Sequence, residues 1–438
     1  MEKKKLYLLT TAFPYGTGEK TFIGPELPHL QENFRVTIIS GATERDLNDK
    51  ADRTGLDPEI SLFHIDTVVT RLPDKLWGGL RAAFSPVFLE EAFHIIRSGK
   101  QVGGRLHWAL AYLTAAFRFR DGVLSAGIAD GSEDSICYSY WYDLHMLGML
   151  LSRRRFPRMK FVTRAHGADL YNERAEYSWQ PFRSFMDRHL DRVFFISEAG
   201  RRYYIDHFTH REDPLRYRVC RLGLPEFGKT APSGTAPSGG TEAETDSRRK
   251  NSFLLVSCST LLPLKRVQLI VEGLALLPPE LCIRWVHFGG GPEEEALRRL
   301  AADRLGSHRN ITCTFTGAVP NRSVTDFYGT ERPDCFITTS STEGIPVSVM
   351  EAEAFSMCVI ATDVGGMREA VDGNGILLPS DPSPEEVAAG IAALYGRSPD
   401  ERRKMGERSL CLRRERFDAA ANAAAFTAEL LALGQKEN

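Results

Sequence analysis

The chain has 438 residues, 42% hydrophobic and 26% charged, too long for one ordinary core and enough for two domains of roughly 200 residues each. A formal net charge of −2 gives no general case for nucleic-acid binding, and no stretch approaches the roughly 18 apolar residues of a membrane-spanning helix. The eight cysteines stand singly with no CxxC spacing, the histidines form no HxxxH or HExxH cluster, and no secretory signal follows MEKKK, so a zinc site lacks support and a reducing, cytoplasmic setting is expected.

In chain order, a buried strand is expected at Leu6–Thr10. It runs into Phe13-Pro14-Tyr15-Gly16-Thr17-Gly18-Glu19, then a helix over Phe22–Leu30 and a strand at Phe34–Ser40. A glycine loop at such a junction lets backbone approach a ligand, and the helix start offers amides to an anion, so Gly16 and Gly18 are candidate contacts; a plain turn is the other reading. From about Leu72 to Gly127 the pattern is helical and amphipathic. Trp77, Phe84, Phe88 and Phe93 occur among Lys75, Arg81 and Arg97, and Leu106, Leu110, Leu113 and Phe117 follow on one face. Two readings stand: core-facing helices, or an aromatic and basic surface resting on an anionic membrane.

Strands are expected at Ile136–Ser139, from Met159 up to His166, and at Arg192–Ser197, with helices over Trp141–Leu151 and Glu198–Phe208. His166 ends its strand beside a glycine turn, with Arg164 and Asp169 close by. The carboxyl end of a parallel strand is where such sheets bind ligands, which makes His166 a candidate site residue. Between Leu150 and Gly223, sixteen Lys/Arg face nine Asp/Glu, either a solvated face or a surface that holds phosphates or anionic lipid.

Residues 228–252 are rich in Pro, Gly, Ser and Thr, repeat APSG, and read as a flexible linker between a first domain, 1–227, and a second, 253–398. Strands at Phe253–Ser257, Cys282–Phe288, Ile311–Phe315 and Cys358–Thr362 alternate with helices. The fold class is therefore α/β: two Rossmann-like, doubly wound parallel-sheet domains facing a central cleft. A helix over 399–438 is expected to pack back on the first domain, with Arg402, Arg403, Lys404, Arg408, Arg413, Arg414 and Arg416 on its wet face.

The chemistry concentrates in Ser340–Val371, SSTEGIPVSVMEAEAFSMCVIATDVGGMREAV. An acid and base pair for glycoside hydrolysis would face one another across about 5 to 9.5 Å. Glu343 precedes a helix and Glu351 lies well along it, which suits different parts of one elongated ligand better than a single scissile bond. A carboxylate grips vicinal hydroxyls, Gly365-Gly366 at a helix start offers amides to a diphosphate, and Lys265 neutralises a phosphate leaving group. Sugar hydroxyls, ribose hydroxyls and diphosphate describe a nucleotide sugar.

In this order, Glu343-Gly-Ile-Pro, Glu351-Ala, Val359-Ile-Ala-Thr and Gly365-Gly-Met-Arg-Glu369 resemble the signature block of the family 4 glycosyltransferases, retaining GT-B enzymes of the "glycosyl transferases group 1" type. The likeness extends to Gly289-Gly-Gly-Pro-Glu, Phe315-Thr-Gly-Ala-Val, Lys265, the His166-Gly-Ala-Asp169 turn and the Phe13–Glu19 loop. It is strong over Phe253–Pro379 and looser in the first half.

The resemblance implies a metal-independent, retaining hexosyl transfer from a nucleoside-diphosphate sugar, such as a UDP-sugar or GDP-mannose, with no further cofactor. Glu343 and the backbone of Gly344, Ile345, Pro346 and Val347 would hold the donor sugar, Glu351 the ribose, and Lys265, Gly365 and Gly366 the diphosphate. Val319 would flank the base, His166 would lie near the anomeric carbon, and Gly16–Gly18 would close over phosphates and acceptor. The implied acceptor is a lipid-linked or cell-surface glycan, as in lipopolysaccharide or capsule synthesis, with the protein peripheral on the inner face of the plasma membrane. Ser259-Thr260 departs from the family's Gly-Arg, leaving Arg266 as the substitute phosphate ligand; Ser356 stands where glycine is common, and the linker is longer than usual. A nucleotide-sugar epimerase or hydrolase of the same architecture, or a nucleotide-sugar-binding protein impaired in catalysis, are the alternatives.

Overall fold

The chain divides into two units, Met1–Leu222 with Ala419–Asn438, and Gly223–Asp418. A computed structural model describes residues 3–15, 19–42, 56–68, 72–129, 131, 133–226 and 252–433. Gly16, Gly18 and all of the expected linker except Ser252 lie outside the described residues.

The first unit opens with β1 (Lys4–Thr10), α1 (Lys20–Asn33), β2 (Phe34–Ser40) and β3 (Ser61–His64). Three helices follow, α2 (Leu72–Ala83), α3 (Pro86–Ser98) and α4 (Val102–Ser125). Then come β4 (Ser135–Ser139), α5 (Leu144–Leu150), β5 (Met159–Ala165), α6 (Arg183–His189), β6 (Arg192–Phe195), α7 (Glu198–Tyr204) and β7 (Tyr217–Val219). The seven strands form one parallel sheet in the order β3-β2-β1-β4-β5-β6-β7. β1 is central, with Leu8 opposite Ile38 on one side and Tyr138 on the other. A strand covered on both faces reads as a continuous apolar run, which is why Leu6, Leu8 and Leu9 are all buried.

The aromatic helices divide between the two readings made from sequence. Leu113, Phe117 and Phe119 of α4 are buried in the core, whereas Trp77 of α2, Phe84 of the α2–α3 turn and Phe93 of α3 are 76, 77 and 61% exposed. Helix α5 starts at Leu144 rather than Trp141, because Asp143 caps it by accepting from the His145 amide. Tyr140–Tyr142 are thereby freed as a turn at the end of β4.

The second unit contains β8 (Phe253–Cys258), α8 (Gln268–Ala275), β9 (Ile283–Phe288), α9 (Glu294–Leu305), β10 (Ile311–Phe315), α10 (Asn321–Glu331) and β11 (Cys335–Thr338). It continues with α11 (Val347–Ala354), β12 (Cys358–Thr362), the single turn α12 (Met367–Ala370), β13 (Gly375–Leu378), α13 (Pro384–Tyr395) and α14 (Pro399–Arg416). Its parallel sheet has the order β10-β9-β8-β11-β12-β13. The order reverses between β8 and β11, as it does between β1 and β4 in the first unit, and both sheets are doubly wound as the alternating pattern indicates.

The C-terminal segment is two helices rather than one. Helix α14 stays with the second unit, and the break follows from Leu224, whose amide donates to Phe417 O (3.0 Å) and whose carbonyl accepts from Arg413 Nη2 (2.6 Å). Arg413, expected on the wet face, is 2% exposed. Helix α15 (Ala419–Ala432) belongs to the first unit. There Phe426 packs against Tyr138 and Phe194 at ring distances of 4.9 and 5.0 Å, under the Arg164 guanidinium.

Candidate functional site

In each sheet the point of reversal lies between two strands whose outgoing loops turn in opposite directions, which opens a crevice at their carboxyl ends. In the second unit the two loops are stitched together by backbone and by one arginine. The amide of Ser341 donates to Leu264 O (2.8 Å), and Thr339 Oγ1 donates to Arg266 O (2.9 Å). Arg266, in a left-handed conformation at φ 48°, sends Nε to Thr339 O (2.8 Å) and Nη2 to Ser340 O and Ser380 O (3.0 and 2.7 Å), while Nη1 pairs with Asp381 (2.6 Å). Arg266, expected as the substitute phosphate ligand, here turns its N–H groups to backbone and to Asp381, and so holds three loops together.

The consequence of that stitching is a meeting of two site candidates. Lys265 Nζ donates to Glu343 Oε1, with the two side chains 18 and 7% exposed. Glu343 is followed by Gly344–Pro346, which lead into α11, and the first amides of a helix have no partner inside it. Gly366 does not present its amide outward; it donates to Gly344 O (2.9 Å), tying the loop after β12 to the loop after Glu343. Gly365 takes φ 52° to make that approach.

Glu351, one helix face further on, is 4% exposed and accepts from Asn321 Nδ2 (2.7 Å). Burial holds its carboxyl above the usual range, and the Asn321 amide opposes this without reversing it. Val319 packs against the same apolar cluster as Val349 of α11, and its neighbour Asn321 is the residue that reaches Glu351. Glu353, by contrast, is completely buried and faces Asn374 (3.4 Å) inside the core.

The glycine triplet after β9 serves the same loops from behind. A Cβ on Gly289 would stand 2.0 Å from Ser259 O, and one on Gly291 2.6 Å from Leu261 O. Ser259-Thr260, the departure from the resembled pattern, is thus held against bare backbone.

In the first unit the carboxyl ends of β1, β4 and β5 carry a second cluster. Glu19 is 5% exposed and accepts from the amides of Thr11 (2.9 Å), Ala12 (2.8 Å) and Phe13 (2.6 Å) and from Trp141 Nε1 (2.6 Å). The Trp141 ring lies 4.5 Å from that of His166, and Tyr140 lies 4.7 Å from it on another side. His166 Nδ1 faces Asp169 Oδ2 (3.4 Å), and Asp169 also accepts from the amides of His166 (2.7 Å) and Tyr142 (2.9 Å). Burial alone would raise the Asp169 carboxyl; the His166 ring and these amides outweigh it and hold the group below its ordinary value. His166 Nε2 is buried and has no hydrogen-bond partner among the described residues. Close by, Asp143 accepts from His145 Nδ1 (2.7 Å) and Thr11 Oγ1 (3.3 Å).

Sequence reasoning singled out His166, Lys265, Glu343 and Glu351 but not Glu19, Trp141 or Asn321. Glu19 had a signal, an acid directly after a glycine loop at a helix start. Asn321 had none, since only the fold sets α10 beside α11. Among the described residues no three His, Cys, Asp or Glu side chains converge as a metal-ligand set.

The family model described as "Glycosyl transferases group 1" matches residues 241–410. An uncharacterized glycosyltransferase of Methanocaldococcus jannaschii is 27% identical over 263 residues, which cover 57% of this chain and 62% of the relative. The O-antigen biosynthesis glycosyltransferase WbnH of Escherichia coli is 33% identical over 90 residues, 20% of this chain and 23% of that protein. The chain therefore spans about three fifths of the first relative's length and about a quarter of the second's. Among solved structures, HepE of Anabaena in complex with UDP and glucose is similar with a TM-score of 0.63 at 17% identity, covering 98% of this chain and all of that one.

Proposed function

Through residues 241–410 the chain belongs to the group 1 glycosyltransferases, with the two doubly wound sheets of the GT-B fold, and from that premise we propose that it is a retaining hexosyltransferase using a nucleoside-diphosphate sugar. The observation that carries this reading is the joining of Lys265 and Glu343 at the point where the second sheet reverses, with buried Glu351 on the helix that follows Glu343. A carboxylate, a cation and a second carboxylate so placed match a sugar, a diphosphate and a ribose, which follow in that order along a nucleotide sugar. HepE was solved with UDP and glucose, which favours a UDP-sugar as donor.

In the proposed step an acceptor hydroxyl oxygen forms a bond to the anomeric carbon while the bond from that carbon to the diphosphate oxygen breaks. The acceptor proton passes to the departing phosphate, and attack from the same face keeps the anomeric configuration. Lys265 offsets the charge that grows on the diphosphate, Glu343 and the Gly344–Val347 backbone hold the sugar, and Glu351 holds the ribose. No catalytic metal is part of this proposal. The acceptor proposed is a glycan, lipid-linked or destined for the cell surface. The name of WbnH favours a polysaccharide product, and the setting proposed is the cytoplasmic side of the plasma membrane.

The test is a panel of UDP- and GDP-sugars, with and without membrane extract, read by nucleotide release and by the anomeric configuration of the product. Release that requires extract, with a retained anomer, supports transfer. Donor turnover without extract identifies a hydrolase or epimerase, and an inverted product overturns the retaining assignment.

A further inference from the structure

Eleven large apolar side chains are exposed among the described residues, and seven of them come from positions 76–96. Scattered exposed apolar residues are ordinary, but a concentration on one helical hairpin is a patch. On α2, Leu76, Trp77 and Leu80 are 61, 76 and 52% exposed, and Phe84 at the turn is 77% exposed. On α3, Leu89, Phe93 and Ile96 recur at helical spacing with exposures of 57, 61 and 60%. The opposite face of α3 buries Ile95 and Glu91, so the hairpin is seated on the unit and turns a complete apolar face outward.

Beside this face lies a cavity of about 960 Å³, lined by Arg81, Arg120, Arg153, Arg154 and Arg155, with Asp121 as its one acid. Arg81 and Arg120 share Asp121 and both stack on Phe117, and Arg153 is held by Asp191 (2.9 Å). Arg154 and Arg155 are exposed and have no acidic partner among the described residues. Pro86 and Val87, the first residues of α3, line the same cavity. The α2–α3 turn therefore joins an apolar ridge to a cationic pocket.

We propose that this face docks on a bilayer containing anionic phospholipid, the α2–α3 ridge entering the headgroup region and the arginine cavity taking a lipid phosphate. The charge argues for lipid over a second copy of the chain: three of the five guanidiniums share Asp121 and Asp191 while Arg154 and Arg155 have no acidic partner among the described residues, so the cavity needs an anionic partner, and the ridge needs an apolar one. An anionic bilayer supplies both within a few ångströms. Trp77 has the amphipathic ring suited to the headgroup level. This deepens the reading of a lipid-linked acceptor, yet its test reads binding and not transfer, so either can fail alone.

The full chain is sedimented with vesicles of phosphatidylcholine and of phosphatidylcholine with phosphatidylglycerol, at low and high salt. Binding to the anionic vesicles that weakens with salt is expected. Arg154→Ala with Arg155→Ala should weaken it roughly 25-fold, since each basic residue near an anionic surface contributes about a fivefold factor. Phe84→Glu and Phe93→Glu, both at exposed positions, should abolish it while circular dichroism stays unchanged. Equal binding to both vesicle types, no binding to either, or a dimer in solution that Phe84→Glu dissociates would each overturn the proposal.

Discussion

Lys265 and Glu343, 78 positions apart in sequence, donate and accept one hydrogen bond at the reversal point of the second sheet. Neither side chain has an elementary reason to be there alone: a buried carboxylate and a partly buried ammonium each need a partner. Their pairing holds both at the position of the proposed donor site.

From this pair we expect Lys265→Ala and Glu343→Gln each to lower kcat/KM by about 10²- to 10³-fold, the scale of removing one electrostatic contact to a reacting group. The two should separate in binding. A thermal shift caused by UDP should vanish in Lys265→Ala and persist in Glu343→Gln, because in the proposed site the lysine meets the diphosphate and the glutamate meets the sugar, which UDP lacks. Near-normal transfer by either variant would remove these residues from the site.

Glu19 gives a prediction about the first unit. Its carboxylate is shared by three successive amides and the Trp141 indole, and Trp141 in turn abuts His166. Glu19→Ala leaves four donors without their acceptor in a largely buried turn, so unfolding in urea should show a loss of about 2–4 kcal/mol. The Trp141 fluorescence maximum should move as its N–H partner disappears. An unchanged midpoint and spectrum would mean that the turn holds without the carboxylate.

How far such features could be read beforehand depended on whether their cause was local. The strands of the second unit are short apolar runs between turn residues, and a run such as Cys358–Thr362 is buried throughout as its composition indicates. Lys265 and Glu343 could be singled out because each belongs to an ordered set of motifs, but their hydrogen bond to one another depends on the fold. The contacts of Arg266 were not legible, because its charge suggests a ligand while the three carbonyls that receive it come from other loops. Arg413 was placed in water for the same reason, though Leu224 O lies over it. The exposed α2–α3 face and the buried face of α4 carry the same aromatic pattern, and only packing tells them apart.

Gly289 tests the close approach of loops behind the site. It has φ 124°, and an added Cβ would lie 2.0 Å from Ser259 O, a backbone atom that cannot swing aside. Gly289→Ala should cost at least about 1–3 kcal/mol from backbone strain alone. Because the displaced Ser259 begins the loop that carries Lys265, UDP affinity should fall together with stability. Gly24→Ala, where nothing lies within 4 Å of the added carbon, is the matched control and should leave UDP affinity unaltered.

Glu91 supplies a pH signature for the seating of α3. Burial pushes its carboxyl from an ordinary 4.5 to about 7, and Glu90 adds to the rise; the Phe182 amide, Arg188 and Arg183 oppose it without cancelling it. A carboxyl whose value is raised by folding binds its proton more tightly in the folded chain. Its contribution to stability is therefore complete below 4.5 and is lost as pH rises through about 7. Glu91→Gln keeps the shape and an acceptor for the Phe182 amide but carries no charge. The substitution should be nearly neutral at acid pH and stabilising above neutrality, by an amount on the order of 3 kcal/mol. Urea midpoints at several pH values, wild type against variant, measure it directly: the difference should open between the two values and level off above them. A difference that is constant across pH would mean that Glu91 is ionised in the folded chain and that its burial is compensated by Arg183 and Arg188.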